Sequence, residues 1–250
     1  GKSMLDVIQN IHVQGTKPYY EDNAGTQGNF AWVIDGATSL VPDNSSDDGG
    51  VVASFTSYLT AALHELAKTV PDDVDLRELL HEAVTQATRR VGPLDLQNPW
   101  EPPSAAMVLA HVSDTQVRLI QSADVAWQVR DSTGAVVDGA LSEPVFAQFE
   151  ARNQSDVAGL TRGDGFDSVR RDVYRRTRAM ANASGGYPVV QYGMTSPLAV
   201  EEIVVQSPDP ELVLHSDGWP KLAREGLGAR FAGGSGGFDD ATYLWICPRV

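Results

Sequence analysis

Phe30-Ala31-Trp32-Val33-Ile34-Asp35-Gly36-Ala37-Thr38-Ser39-Leu40 is the stretch from which the fold is best read. Its apolar half, residues 30–34, stops abruptly at Asp35-Gly36. Such a run reads as a buried strand whose last residue delivers a carboxylate into a turn. A carboxylate at the mouth of a buried strand is costly unless something positive lies against it. Asp-Gly is also a very common turn with no further role, so the rest of the chain has to decide.

Toward the N-terminus, residues 7–14 are expected to form a strand. Residues 15–29 read as turn-rich and carry Glu21-Asp22-Asn23. Toward the C-terminus, residues 42–50 read as a polar, acidic loop. From Val51 the pattern turns helical, with Phe55, Leu59, Ala62, Leu63 and Leu66 on one face. A second helix is expected after Pro71, with Leu76, Leu79, Leu80, Ala83, Val84 and Ala87 on one face. A proline-rich loop covers 92–103.

Short strands follow over 105–112, 117–122, 125–130 and 135–138, separated by hairpin-like turns at Ser113-Asp114 and Ser132-Thr133-Gly134. Residues 141–184 differ. They suggest helical pieces near 144–154 and 168–181, split by Arg162-Gly163-Asp164-Gly165. Strands are expected again at 189–192, 202–206 and 212–215, a short helix at 220–227, and a final strand at 242–247. A helix pair, strands at hairpin spacing and an insertion do not make the steady alternation of a parallel sheet. No internal repeat or linker is visible, so residues 1–250 are expected to form one α+β domain.

The 250 residues are 42% apolar, enough for a substantial core, and carry a net charge of -14. That charge argues against nucleic acid and anionic membrane surfaces as partners. It suits a protein that gathers carboxylates around cations. The single cysteine, Cys247, excludes an intrachain disulfide and a cysteine-based zinc site. It lies in an apolar run and reads as a buried, inert thiol. No segment approaches the ~20 apolar residues of a membrane span, and no signal peptide is apparent. A cytoplasmic, monomeric protein is expected. The five histidines show no metal-ligand spacing, and His215 is expected to pack beneath a site formed by its neighbours. Gly233-Gly234-Ser235-Gly236-Gly237 lacks the Lys-Ser/Thr ending of a phosphate loop.

Four acidic positions recur in similar settings. Asp22 follows Tyr19-Tyr20-Glu21, and Asp35 ends the apolar run. Asp217 ends Leu212-Val213-Leu214-His215-Ser216, and Asp239-Asp240 precedes the last strand. Carboxylates ~5 Å apart repel by ~0.8 kcal/mol in bulk water and ~3 kcal/mol at an effective dielectric of 20. Such clusters share protons or bind divalent ions, and all-oxygen ligand sets select hard ions such as Mg²⁺ or Mn²⁺. Four unrelated turn residues would give the same spacing.

The order of these pieces resembles the type-2C (PPM) family of metal-dependent Ser/Thr protein phosphatases, in a bacterial-like form. The pieces are Lys17 with Glu21-Asp22-Asn23, Val33-Ile34-Asp35-Gly36, Ser122-Ala123-Asp124, Leu214-His215-Ser216-Asp217-Gly218, and Asp239-Asp240-Ala241-Thr242. The resemblance spans nearly the whole chain. It implies a four-layer α-β-β-α sandwich, two antiparallel sheets flanked by helices, with a two-metal site at one end and a flap over 141–184. It implies that Asp22, Asp35, Asp217 and Asp239 are ligands of two Mn²⁺ or Mg²⁺ ions, with Asp35 bridging and Gly36 lending its carbonyl. Asp124 matches the acid that can help hold a third metal with Asp217, and Asp240 falls just outside the ligand set. Lys17 stands where the family has a phosphate-binding Arg; a lysine offers a point charge rather than a planar fork.

The implied reaction is hydrolysis of phosphoserine or phosphothreonine in proteins by attack of a metal-bridging hydroxide. A phosphatase of a small phosphorylated metabolite, or an inactive phosphatase-like binding module, remains an alternative. The sequence departs from the family in three places. Ala37 replaces the His that follows Asp-Gly in eukaryotic members, which leaves protonation of the leaving oxygen to a metal-bound water. Gly-Asp-Ser has become Ala123-Asp124-Val125, and the interval from Asp217 to Asp239 is short. Arg170, Arg171, Arg175, Arg176 and Arg178 concentrate five of the 19 basic residues in the flap. They read either as a solvated helix face paired with Asp167 and Asp172 or as an electropositive rim guiding an acidic or phosphorylated substrate, which replacement of Arg175 and Arg176 by Ala would test.

Overall fold

A computed structural model describes residues 5–14, 22–40, 48–217 and 240–249. Eleven strands and four helices are assigned among the described residues. Helix α1 (Asp48–Ala67) and helix α2 (Leu76–Val91) follow the predicted pair closely. Asp75 caps α2, its carboxylate accepting from the Arg77 N–H at 2.9 Å, and Gly92 ends it at a φ of +82°.

The strands form two antiparallel sheets. One contains β2 (Asp22–Gln27), β3 (Phe30–Gly36), β4 (Ser104–Val112), β5 (Gln116–Ser122) and β9 (Ile203–Gln206) in that order, with β8 (Val190–Gln191) pairing the start of β4. The other runs β1 (Leu5–Val13), β11 (Ala241–Pro248), β10 (Glu211–His215), β6 (Ala126–Arg130), β7 (Val136–Ala140). This is the expected α+β sandwich of two antiparallel sheets with helices against them.

The run 30–34 is apolar throughout because β3 is covered on both faces. Phe30, Trp32 and Ile34 meet the helices, packing with Phe55, Leu59, Leu63, Leu80 and Val84. Ala31 and Val33 face the other sheet, in a core shared with Trp127, Leu212, Leu214, Leu244 and Ile246. Side chains on a strand alternate between faces, and each large one fully buried contributes about 1.5–3 kcal/mol. Trp32 Nε1 also donates to Thr60 Oγ1 at 2.7 Å, fixing α1 on the sheet.

Residues 22–27 overturn one expectation. They read as turn-rich, yet they form β2, the outer partner of β3. The turn itself is only Gly28-Asn29, with Gly28 at a φ of +59°, as tight hairpins of the primed type require. Gly25 is obligatory for a different reason. A Cβ there would lie 2.6 Å from the Trp32 ring and 2.9 Å from His64.

The insertion forms a helical hairpin, α3 (Pro144–Ala158) and α4 (Phe166–Arg178). Glu143 caps α3, accepting from the Val145 and Phe146 N–H groups at 3.1 and 2.8 Å. The Glu143 N–H in turn donates to the Ala123 carbonyl at 2.7 Å, tying the hairpin to the point where the chain crosses between sheets. Phe146 and Phe149 pack on Tyr187, with ring centroids 5.6 and 5.3 Å apart. Arg175 Nε donates to the Leu40 carbonyl at 2.8 Å, and Arg178 donates to the Thr38 carbonyl. The hairpin therefore lies across the end of the sandwich at which β3 stops. The helix expected at 220–227 lies outside the described residues. Among the described residues, no helix is long and apolar enough to cross a membrane.

Candidate metal centre

Strand pairing builds the centre. The β2–β3 register places Asp22 directly opposite Asp35. The β5–β6 crossover carries Asp124, and the end of β10 carries Asp217. Asp35, Asp124 and Asp217 each offer a carboxylate oxygen within 4.8 Å of the others. Asp22 is fully buried, and its Oδ2 accepts from Thr242 Oγ1 at 2.8 Å. Ser216 and Thr242 join the ends of β10 and β11 by two more bonds, of 3.0 and 2.9 Å. Among the described residues, no N–H or O–H group reaches Asp22 Oδ1.

Asp35, Asp124 and Asp217 line a cleft of about 380 Å³ together with Gly36, Asp240, Glu150, Arg170, Tyr187 and Arg178, and Asp22 lies behind Asp35 on the paired strand. Burial and crowding raise the pKa values of Asp22, Asp35 and Asp124. Loss of water raises Asp22 to about 6, and the Asp240 charge adds to the rise. Asp35 is held well above the usual carboxylate range, first by burial and then by the charges of Asp22 and Asp217. Burial, then Asp217 and Glu150, push Asp124 up to about 8. Glu150 rises through burial and the Asp217 charge. The donor set is all oxygen, mutually repulsive, and includes an orphaned buried oxygen. A hard divalent cation would answer each of these features, so Asp22, Asp35, Asp124 and Asp217 could hold one or more.

Three solved structures share this arrangement of elements. The Mycobacterium tuberculosis serine/threonine phosphatase PstP/Ppp superposes with a TM-score of 0.56, over 98% of each chain, at 14% identity. The catalytic domain of PstP in complex with 2 manganese ions gives 0.56 over 99% of this chain and 100% of that one, also at 14% identity. Stp1 from Staphylococcus aureus gives 0.55, over 99% and 96%, at 13% identity. This chain has the PPM phosphatase fold. No protein-family model matches the sequence, and no curated protein matches it, so the likeness to PPM phosphatases is one of fold.

Within that fold, the predicted acids Asp22, Asp35, Asp124, Asp217 and Asp240 come together, with Gly36 beside them. Lys17 and Asp239 lie outside the described residues. His215 lies beside the cleft without lining it, its ring lowered in pKa by burial. The flap arginines divide between the two readings. Arg176 is exposed, and Arg175 turns to the Leu40 carbonyl and the Trp100 ring, 5.4 Å from its centroid. The arginines that line the cleft are Arg170 and Arg178. Positions 170, 174, 177 and 178 share one helical face, as do 146, 149, 150 and 153 on α3. That spacing could have singled out Arg170, Arg178 and Glu150 from the sequence.

The departure from Gly at 123 has a visible cost in the PPM fold. Ala123 precedes Asp124 with a φ of +58°, a left-handed conformation. This costs an L-residue roughly 1–2 kcal/mol. Glycine returns about 0.4–1 kcal/mol of that through the freedom of the unfolded chain. Ala123→Gly is expected to stabilise the protein by about 0.5–1 kcal/mol in urea unfolding. A destabilised variant would mean that the Ala123 methyl, which packs in the inter-sheet core, outweighs the strain.

Proposed function

We propose that this protein is a metal-dependent phosphomonoester hydrolase that dephosphorylates phosphoserine or phosphothreonine in proteins. The observation that carries the reading is the cluster of Asp35, Asp124 and Asp217 carboxylate oxygens, within 4.8 Å of one another, at the mouth of a PPM-fold sandwich. Asp22, Asp35, the Gly36 carbonyl, Asp217 and Asp239 would hold two Mn²⁺ or Mg²⁺ ions, and Asp124 with Asp217 a third. Such ions supply Lewis-acid activation of water and neutralisation of phosphoryl charge.

The chain's own groups do the rest. Thr242 orients Asp22 through its 2.8 Å bond. Asp35, at the centre of the cluster, would help hold both ions. Lys17, Arg170 and Arg178 orient the anionic phosphoryl oxygens. Ala37 carries no proton, so the leaving oxygen is not protonated from that position. The whole chain acts as a single catalytic domain with α3–α4 as its flap. Its net charge of -14 argues against nucleic acid and anionic membrane partners, and we read it as a cytoplasmic monomer.

Hydrolysis of p-nitrophenyl phosphate and of a phosphothreonine peptide, with Mn²⁺, Mg²⁺ or exhaustive EDTA, tests the reading. Both substrates should be cleaved with metal, and neither after chelation. Full activity at a measured metal content near zero would sink it. Cleavage of the aryl phosphate without the peptide would point instead to a small phosphorylated metabolite.

A further inference from the structure

Beside the carboxylate cleft lies a second cavity, of about 220 Å³. The two share Ala37, Ser104 and Arg178, so they are continuous at the point where the chain leaves β3. Val52, only 4% exposed, is among its lining residues. Leu94, Leu96, Trp100 and Pro102 form its walls.

The walls are fixed in place. The Glu101 carboxylate accepts from the N–H groups of Gln97 and Asn98 at 2.6 and 3.1 Å and from Asn98 Nδ2 at 3.0 Å. It thereby closes the 92–103 loop on itself. Trp100 is held under the Arg175 guanidinium, itself bonded to Leu40. Arg178, bonded to the Thr38 carbonyl, stands on the ridge between the two cavities.

The chemistry of the interior narrows the occupant. Both acids in the lining have partners: Glu101 as above, and Asp95, which accepts from Gln97 Nε2 at 2.6 Å. The cavity presents carbon from Val51, Val52, Leu94, Leu96, Trp100 and Pro102 beside about as much polar surface. At 220 Å³, it is smaller than the ~300–1,000 Å³ of ordinary small-molecule sites. It matches one large aliphatic or aromatic side chain, and its continuity with the cleft places that side chain next to the reacting phosphate.

We propose that this cavity is a subsite for a large apolar side chain flanking the phosphorylated residue of a protein substrate, whose backbone passes over Arg178. This rests on the phosphatase reading above, and the experiment separates the two.

Phosphothreonine peptides of one sequence, with Leu, Phe, Ala or Asp at each of the two positions on either side, are compared by kcat/KM with Mn²⁺. The reference substrate is p-nitrophenyl phosphate, which has no neighbour. At one of these positions Leu and Phe should exceed Ala by about tenfold, the discrimination expected of an apolar pocket. Leu94→Trp, or the more exposed Leu96→Trp should the first fail to fold, should narrow the cavity and erase that preference. Aryl phosphate turnover should stay within about twofold of wild type, since neither residue touches the carboxylates. Equal rates for all peptides, or a preference that survives both variants, overturns the subsite. Should neither substrate be hydrolysed, the phosphatase reading fails instead. The anisotropy of fluorescein-labelled peptides then decides the subsite: tighter wild-type binding of the Leu peptide, lost in Leu94→Trp, upholds it, and equal affinity overturns it.

Discussion

Asp35→Asn should lower kcat by at least roughly 10³-fold, the scale at which a single preorganised electrostatic contact acts in a closed site. It should also leave the fold intact. Asp35 pairs through its backbone with Asp22 on one side and Ala106 on the other, and neither pairing uses the carboxylate. Asn has the same shape but cannot bridge two cations with a negative charge. Without metal, the substitution removes a group that burial and its neighbours Asp22 and Asp217 keep from ionising. The metal-free variant should therefore be more stable than wild type at pH 8, while wild type regains the advantage once metal is added. Steady-state kinetics at saturating Mn²⁺ and melting with and without EDTA check both halves. A variant within tenfold of wild-type turnover would remove Asp35 from the centre of the mechanism.

The second large effect is a pH-dependent response to metal. Asp22 and Asp124 titrate at about 6 and about 8 in the folded chain, against about 3.9 for an unfolded Asp. A group with a raised folded pKa keeps a proton that the unfolded chain has already lost. Its contribution to stability is therefore full below pH 4 and declines as pH rises to the folded value. His12, His64, His111 and His215 have pKa values lowered by burial and act in the opposite sense below pH 6.5. The window that isolates the acids is pH 6.5 to 8. There the metal-free protein should lose stability, because Asp124 and Asp35 hold protons that the unfolded chain has already released. Stabilisation by Mn²⁺ should grow over the same window, because cation and proton compete for the same oxygens. At 100 times its dissociation constant, a single ion adds about 2.7 kcal/mol, or roughly 6–10 °C in a chain of this size. Thermal melts at pH 6.5, 7.2 and 8.0, with EDTA and with Mn²⁺, measure the trend. A metal effect that shrinks with rising pH would mean these carboxylates are not the ligands.

Much of this was legible in the sequence. The apolar run 30–34 marks a strand covered on both faces, and the one-sided patterns of 51–66 and 76–87 mark the helices that cover it. Those readings are local, because burial imposes a period on the residues themselves. The order of the acids and the Asp-Gly at the strand end named the family fold before any coordinates.

Other features are set by partners distant in sequence. Asp22-Asn23-Ala24-Gly25-Thr26-Gln27 has little intrinsic preference for a strand, and β2 exists because β3 offers it an edge and Gly25, with no Cβ, leaves room for the Trp32 ring. The flap arginines look equivalent along the chain. Docking of α4 against Leu40 and Trp100 turns Arg175 away from the cleft, while Arg170 and Arg178 line it. The sequence by itself determined which acids were available. Only the tertiary structure decided that Asp22 and Asp35 face each other, because strand register has a period of two and a slip of one residue would send a carboxylate to the opposite face.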